Sequence, residues 1–106
     1  MAKYLIVASY TSQGVKGVIA KGGTARRTAV EKMAAELGGR VESFYFAFGE
    51  GDAFVTVDLP DNVGAAAAAL AVGASGMATV KTTVLLTPEE IDRAVATSVN
   101  YTPPGS

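Results

Sequence analysis

The sequence predicts an α+β fold, in which a four-stranded antiparallel sheet carries helices on one face. Three observations support this prediction. Four short segments are rich in β-branched and aromatic residues, as strands are. Segments with helical spacing of apolar residues follow the first and the third of them. The second and third segments are joined only by a tight glycine turn. The resulting element order is β-α-β-β-α-β, followed by a terminal helix.

The first third of the chain is predicted as one strand and two helices. Residues 3–10 form the strand, which is central because neither of its faces is polar. Thr11-Ser12 caps a short helix that Gly22-Gly23 ends. Thr24 is predicted to cap a second helix, which Gly38-Gly39 ends. The apolar face of this second helix carries Ala29, Val30, Met33, Ala34 and Leu37.

The next two strands form a hairpin around the turn at residues 49–52. In residues 40–48, simple alternation puts Glu42, Phe44, Phe46 and Phe48 on one face and Val41, Ser43, Tyr45 and Ala47 on the other. In residues 53–59, one face carries Ala53, Val55, Val57 and Leu59, and the other carries Phe54, Thr56 and Asp58.

The last third is predicted as a helix, a strand and a terminal helix. Asp61 or Asn62 caps the first helix, and residues 77–86 form the strand. Thr87-Pro88-Glu89-Glu90 is typical of a helix start, with a Thr cap and Pro at the first helical position. The alanine-rich helix is predicted to bury Val63, Ala66, Ala67, Leu70 and Ala74, and the terminal helix has an apolar face of Ile91, Ala94 and Val95.

This order is the split βαβ, or ferredoxin-like, plan with strand order 4-1-3-2. We expect a single domain over residues 1–98 and a tail over residues 99–106 that is flexible or docked on a partner. The sheet face without helices has no covering layer, and it carries bulky apolar groups. Because a large exposed apolar patch marks an interaction site, we expect a homo-oligomer through this face, a dimer first and a trimer or higher second.

Composition excludes several function classes. The 106 residues contain no His, Cys or Trp, which excludes His-based catalysis, thiolate nucleophiles, Cys-ligated zinc and iron–sulfur clusters. We expect no metal and no cofactor. The net charge of −1 gives no electrostatic footprint for nucleic acid. The sequence has no apolar run long enough for a signal peptide or a membrane span, so we expect a cytoplasmic protein with no membrane partner.

Several motifs in this order resemble the GYD-domain family, a group of small bacterial and archaeal proteins related to the dimeric α/β-barrel superfamily. The resemblance covers about residues 3–96. Its motifs are Tyr4-Leu5-Ile6-Val7, Tyr10-Thr11, Gln13-Gly14, the segment from Ala34 to Gly39, Phe44-Tyr45-Phe46, the segment from Val55 to Asp61, Ala71, Gly73, Gly76, the strand from Val80 to Leu86, and Thr87-Pro88-Glu89-Glu90.

The name motif of the family falls on Gly49, Gly51 and Asp52. The family usually has Tyr immediately before this Asp, and here Gly51 stands in its place, so no role of that ring is carried over. The resemblance implies the fold and an oligomer, and it implies little about chemistry.

Carboxylates and tyrosines supply the candidate catalytic residues. Asp52 is a possible general base, although an Asp at a turn more often accepts hydrogen bonds from backbone N–H groups. Glu50 is a second carboxylate on the same turn. Tyr10 ends the first strand, and Tyr45 lies in the second. The candidate catalytic residues are therefore Asp52, Tyr10 and Tyr45.

An anion site is predicted where the first strand meets the first helix. Tyr10, Thr11 and Ser12 lie at a helix N-terminus, which attracts a small carboxylate or phosphate. Arg27, beside Arg26, is the basic candidate for the same ligand, although such a pair is usually a solvated face. The early glycines match no phosphate-loop spacing.

Lys81 and Asp58 are a further charged pair. They are predicted on strands that the first strand separates, on the open face or at its edge, where they could pair across a dimer interface.

Three functions remain open from the sequence. The first is an oligomeric module that binds a small metabolite or a protein partner. The second is a cofactor-independent enzyme of the dimeric α/β-barrel type, monooxygenase- or isomerase-like, that uses the Tyr, Asp and Arg candidates. It rests on analogy of fold alone. The third is a trimeric regulator resembling the nitrogen-signalling PII proteins, which ranks last because no connection is long enough for their partner loops.

Overall fold

The computed structural model describes residues 1–105, and Ser106, the end of the predicted tail, lies outside them. Along these residues the chain forms β1 (Ala2–Tyr10), α1 (Ser12–Lys21), α2 (Gly23–Glu36), β2 (Arg40–Gly49), β3 (Gly51–Leu59), α3 (Asn62–Ala74), β4 (Ala78–Leu85) and α4 (Pro88–Ala96). The predicted element order is confirmed.

The strands form one antiparallel sheet in the order β2-β3-β1-β4, which is the predicted order counted from the other edge. The central position of β1 is confirmed, since β1 pairs with both β3 and β4. Helices α2 and α3 pack on one face of the sheet, and the other face is uncovered. This is the ferredoxin-like fold.

The core lies between the sheet and these two helices. Its fully buried members include Tyr4 and Leu59, each 1% exposed. The Tyr4 hydroxyl donates a hydrogen bond to Asn62 Oδ1 at 2.6 Å, which ties β1 to the first residue of α3. A buried hydroxyl needs a hydrogen-bond partner, and this bond supplies one, so the whole Tyr4 side chain can be buried. The core cluster consists of Tyr4, Val55, Val57, Leu59 and Ala65.

The simple alternation predicted for β2 is wrong. Val41 pairs with Val57 and Ser43 with Thr56, so one extra residue, Glu42, is inserted between them. This β-bulge reverses the order of faces beyond it. As a result Val41, Phe44 and Phe46 share the helix-covered face, while Ser43 and Tyr45 lie on the open face. The predicted faces of β3 are confirmed.

The predicted buried face of α3 is also wrong. Val63 and Leu70 are 77% and 75% exposed, and the buried residues are Ala65 and Ala68. The helix is rotated because alanine side chains allow its backbone to approach the sheet more closely than valine and leucine would. Its outward face is consequently apolar and carries Val63, Ala66, Ala67, Leu70 and Ala74.

Three of the predicted helix caps are confirmed. The side chains of Thr11, Asp61 and Thr87 accept hydrogen bonds from the first turns of α1, α3 and α4. The cap predicted at Thr24 is wrong. Gly22, at φ +86°, both ends α1 and precedes α2, so α2 already begins at Gly23 and has no side-chain cap.

An ion-pair cluster occupies the open face near the start of β1. Lys3 contacts Glu42, and its amine donates to Asp58 at 2.8 Å; Arg40 lies 3.2 Å from the same Asp58 carboxylate. The hydrogen bond from Lys3 holds the pKa of Asp58 below its usual value, and Arg40 acts in the same direction. The same bond, followed by that to Glu42, raises the pKa of Lys3. The cluster fixes β2, β3 and β1 to one another.

Helix α4 extends away from the rest of the chain. It has no buried residue, and every residue from Ile91 to Gly105 is exposed. The radius of gyration is 16.8 Å, against about 13 Å expected for a compact domain of this length. The longest dimension, 57 Å, is nearly twice the next, 32 Å.

Candidate functional site

A cleft of about 600 Å³ lies between α1, α2 and the connection from α3 to β4, above the Tyr10 end of the sheet. A smaller space of about 50 Å³ continues beneath it between α2, α3 and the sheet, as far as Phe44 and Thr82. The two spaces share Tyr10, Arg26, Val30, Met33, Val72 and Ala78. Together they form one apolar cleft that is open to solvent at the helix side.

Small residues create this cleft. Its mouth is lined by Gly17 on α1, Ala25 and Ala29 on α2, and Ala71 on α3, so no large side chain fills the space between the helices. Gly14 lets α1 approach the α3–β4 connection, because a Cβ there would collide with the carbonyl oxygen of Met77. The walls are therefore set by backbone contacts.

Among the polar residues of the inner part of the cleft, Tyr10 and Arg26 also line its mouth, whereas Thr82 lines only the inner space. Arg26 is half-buried, and within residues 1–105 it forms no ion pair. The phenol of Tyr10 is half-buried beneath it at the end of β1. Lys21 adds a second cation at the exposed rim. Since residues 12–30 contain four cations and no Asp or Glu, this side of the molecule favours an anion.

Of the four residues predicted to bind an anion, one lines the cleft and three do not. Tyr10 lines the cleft, but Thr11 does not; its hydroxyl caps α1 and bonds the carbonyl oxygens of Gly76 and Met77. Ser12 is exposed at the first turn of α1, and Arg27 is exposed on α2, outside the cleft.

The candidate catalytic residues are not brought together. Asp52 Oδ2 accepts a hydrogen bond from the backbone N–H of Tyr10 at 2.8 Å, which joins the start of β3 to the end of β1. Tyr45 pairs in register with Phe54 and is 70% exposed on the open face, opposite to the cleft. Glu50 is exposed at the turn itself.

Lys81 and Asp58, the predicted charged pair, lie on strands that β1 separates, as expected. Asp58 lies opposite Lys3, and Lys81 lies opposite Val7 on the other side of β1. Asp58 is engaged by Lys3 and Arg40, while Lys81 is exposed on the open face.

Sequence reasoning chose Arg27 for the binding set, whereas the structure places Arg26 at the cleft. A helical signal could have selected Arg26, which precedes Val30 by four residues and Met33 by seven and so falls on the same stripe. Lys21 carried no such signal, because its position depends on the break between α1 and α2 at Gly22.

Comparison with known families identifies the chain. The sequence model of the GYD domain matches residues 4–95, which is most of its length. The chain belongs to the GYD domain family. Comparisons with curated proteins and with solved structures give no match.

In this GYD domain, the backbone at position 51 has a conformation that favours glycine. Gly51 adopts φ +81°, and a Cβ there would lie 2.5 Å from Val7 Cγ1. A tyrosine at this position therefore requires a different turn from the one that this chain forms.

Residues 1–105 of the GYD domain contain neither a membrane-spanning helix nor a cluster of metal-ligating side chains. No helix of this part of the chain has the length and apolar character needed to cross a membrane. No group of three or more potential metal-ligating side chains occurs among the same residues.

Proposed function

We propose that this GYD-domain protein is an oligomeric module that binds a small molecule with an apolar body and one anionic group. The single observation that supports this proposal is a half-buried Arg26 that has no ion-pair partner in residues 1–105 and borders an open apolar cleft. A guanidinium beside an apolar cleft can form a short, charge-assisted hydrogen bond with an anion, so a carboxylate or phosphate of a ligand is a suitable partner.

The size and lining of the cleft suit such a ligand. Its volume of about 600 Å³ falls within the range of small-molecule sites, which are mostly apolar with a few polar groups that fix orientation. Val30, Met33 and Val72 would contact the apolar body, while Arg26 and the Tyr10 hydroxyl would donate to the anion.

Binding is favoured over catalysis by the composition of the lining. The residues that line the cleft include no Asp or Glu that could act as a general base. Asp52, the candidate for that role, accepts a hydrogen bond from the Tyr10 backbone instead. A ligand is therefore expected to be released unchanged.

The test compares Arg26→Gln with Arg27→Gln, its neighbour on the same helix. Calorimetric titration with a series of aliphatic and aromatic monocarboxylates measures the dissociation constant for each protein. We expect Arg26→Gln to weaken binding roughly 10- to 100-fold, since hydrogen bonds to charged groups contribute about 1.5–3 kcal/mol. Arg27→Gln should leave the constant unchanged. Equal effects of both variants, or no binding by the unmodified protein, would contradict the proposal.

The oligomer is proposed to form through the open face of the sheet. Leu5, Val7 and Phe54 lie there in register on the two central strands, uncovered by any element of the described chain. Packing this face against its copy would remove an apolar patch from water, and it would leave the cleft on the opposite face accessible.

A further inference from the structure

The terminal segment is a preformed element without a packing partner in its own chain. Thr87 and Glu90 make a capping box, in which each side chain accepts a backbone N–H of the other residue, and Pro88 occupies the first turn. Nevertheless α4 has only nine residues, and isolated helices of this length are marginal in water. A helix that has a complete N-terminal capping box but no packing partner in its own chain is expected to pack on another molecule. We refer to residues 86–101 as the arm.

One side of the arm is apolar and exposed. Ile91 and Val95 are four residues apart on α4, and Val99 and Tyr101 follow in the extended part; Val95 is 81% exposed. Glu90 and Asp92 flank this apolar stripe on its two sides, and Glu89 lies on the back of the helix. The arm therefore offers an apolar stripe bordered by negative charge.

A matching surface lies at the mouth of the cleft. The mouth is apolar, and beside it α3 presents the outward apolar face that includes Leu70 and Ala74. Its other side is positive, with Lys21 at the exposed rim and no acidic residue in residues 12–30. An amphipathic helix in an apolar groove is a common recognition mode, and here the charges are complementary as well.

Helix α4, the part of the arm that carries Ile91, Asp92 and Val95, cannot reach the mouth of the cleft in its own chain. The arm leaves β4 after Leu85, which pairs with Lys3, whereas the cleft lies at the other end of the sheet, where Tyr10 pairs with Ala78. That separation is about 24 Å along the strands. Two linking residues and the helix up to Val95 span about 20 Å at most, even if they turned straight back. A second copy of the chain is the source of an arm for each cleft.

We propose that the arm of one copy docks across the mouth of the cleft of a second copy. The apolar stripe rests on the cleft mouth and on the end of the outer α3 face that carries Leu70 and Ala74, and Asp92 approaches Lys21. Two copies that exchange arms in this way form a closed, self-complementary pair. This interaction goes beyond the binding of a small molecule and needs none, because it uses the rim and leaves Tyr10 and the inner cleft free.

Cysteine cross-linking tests this directly, since the chain has no cysteine of its own. Val95→Cys marks the arm, and Gly17→Cys marks the cleft mouth at a position where a Cβ meets no atom within 4 Å. Full-length proteins that carry one substitution each, one of them with a size tag, are mixed and oxidised. The control is Val63→Cys, an exposed valine on α3 next to Asn62, near the opposite end of the sheet.

The expected result is a mixed disulfide between Val95→Cys and Gly17→Cys that forms several-fold more than the one with Val63→Cys. Equal yields for both pairs would overturn the proposal. In the double variant at high dilution, a disulfide within one chain would overturn it too, because the arm would then close on its own cleft.

A charge swap separates the proposed contact from chance collision. Lys21→Glu in the Gly17→Cys protein should slow the cross-link by up to about fivefold, the effect of one exposed ion pair. Asp92→Lys in the Val95→Cys protein should restore the rate. Glu89→Lys, which makes the same charge change on the back of the helix, should not. Equal restoration by Glu89→Lys would contradict docking in this orientation.

Discussion

Gly51 combines a positive φ with a close neighbour, so this position depends on the absence of a side chain for two reasons. Its φ of +81° is rarely adopted by other residues, and a Cβ would lie 2.5 Å from Val7 Cγ1 in the neighbouring strand. We therefore expect Gly51→Ala to lower the free energy of unfolding by about 1–3 kcal/mol. Urea denaturation measures the change.

The matched control for this substitution is Gly17→Ala. Gly17 lies in α1, and a Cβ there would meet no atom within 4 Å. Alanine is favoured over glycine in a helix by up to about 1 kcal/mol, so this variant should be as stable as the unmodified protein or more so. A loss of stability equal to that of Gly51→Ala would show that turn geometry is not the cause.

The ion-pair cluster makes stability depend on pH at both extremes. Asp58 has a folded pKa below its unfolded value of about 3.9, so its contribution is complete above that pH and is lost as the pH falls through the folded pKa. Lys3 has a raised pKa, so its contribution is complete below about 10.4 and is lost as the pH rises through the folded value.

Asp58→Asn should therefore destabilise the protein at pH 7 and have less effect at pH 2, because pH 2 lies below the unfolded pKa of Asp58, where the contribution of the carboxylate to stability is already declining. Urea unfolding at the two pH values gives the comparison. Glu31→Gln, an exposed residue of α2 outside the cluster, serves as the control. A destabilisation by Asp58→Asn that is the same at both pH values would exclude the ionic explanation.

Among the elements, α3 and α4 have equally clear caps but different surroundings. Asp61 caps α3, which packs on the sheet, whereas Thr87 caps α4, which does not. Asp61→Ala should lower the free energy of unfolding of the whole domain by about 1 kcal/mol. Thr87→Ala should reduce helicity only in α4, as seen in backbone chemical shifts, with the unfolding midpoint of the domain unchanged. If Thr87→Ala also lowers the unfolding midpoint of the domain, α4 unfolds together with it.

The sequence was sufficient for the elements whose signals are local. The caps at Thr11, Asp61 and Thr87, the hairpin and the strand order all follow from residue types and spacing. The errors arose where packing decides. Nothing in the residues around Glu42 marks the bulge, and the outward turn of Leu70 reflects how closely an alanine surface approaches the sheet. The cleft was not predicted because it depends on how three helices meet. Arg26 and Arg27 are the same residue type, and only the helical spacing of Arg26 with Val30 and Met33 distinguishes them.

For the whole molecule, the proposed sheet-to-sheet oligomer depends on an apolar centre of the open face. Leu5 lies there between Thr56 and Thr83. Leu5→Lys should place two like charges at a twofold contact, break this contact and lower the sedimentation coefficient, measured by sedimentation velocity. Ala35→Lys, at an exposed position of α2 outside the cleft, is the control and should leave the assembly unchanged. If Leu5→Lys leaves the sedimentation coefficient unchanged while the protein stays folded, the open face is not the interface.

The irregular course of β2 also affects how the protein behaves at high concentration. As an edge strand, β2 presents unpaired backbone groups that could pair with the edge of another molecule. Its register shifts between Val41 and Ser43 and again between Phe46 and Gly49. Two interruptions in one strand leave little straight edge for a foreign strand to extend, although Phe46 and Phe48 are exposed there. The two bulges that break the predicted alternation of β2 should therefore also oppose edge-to-edge aggregation.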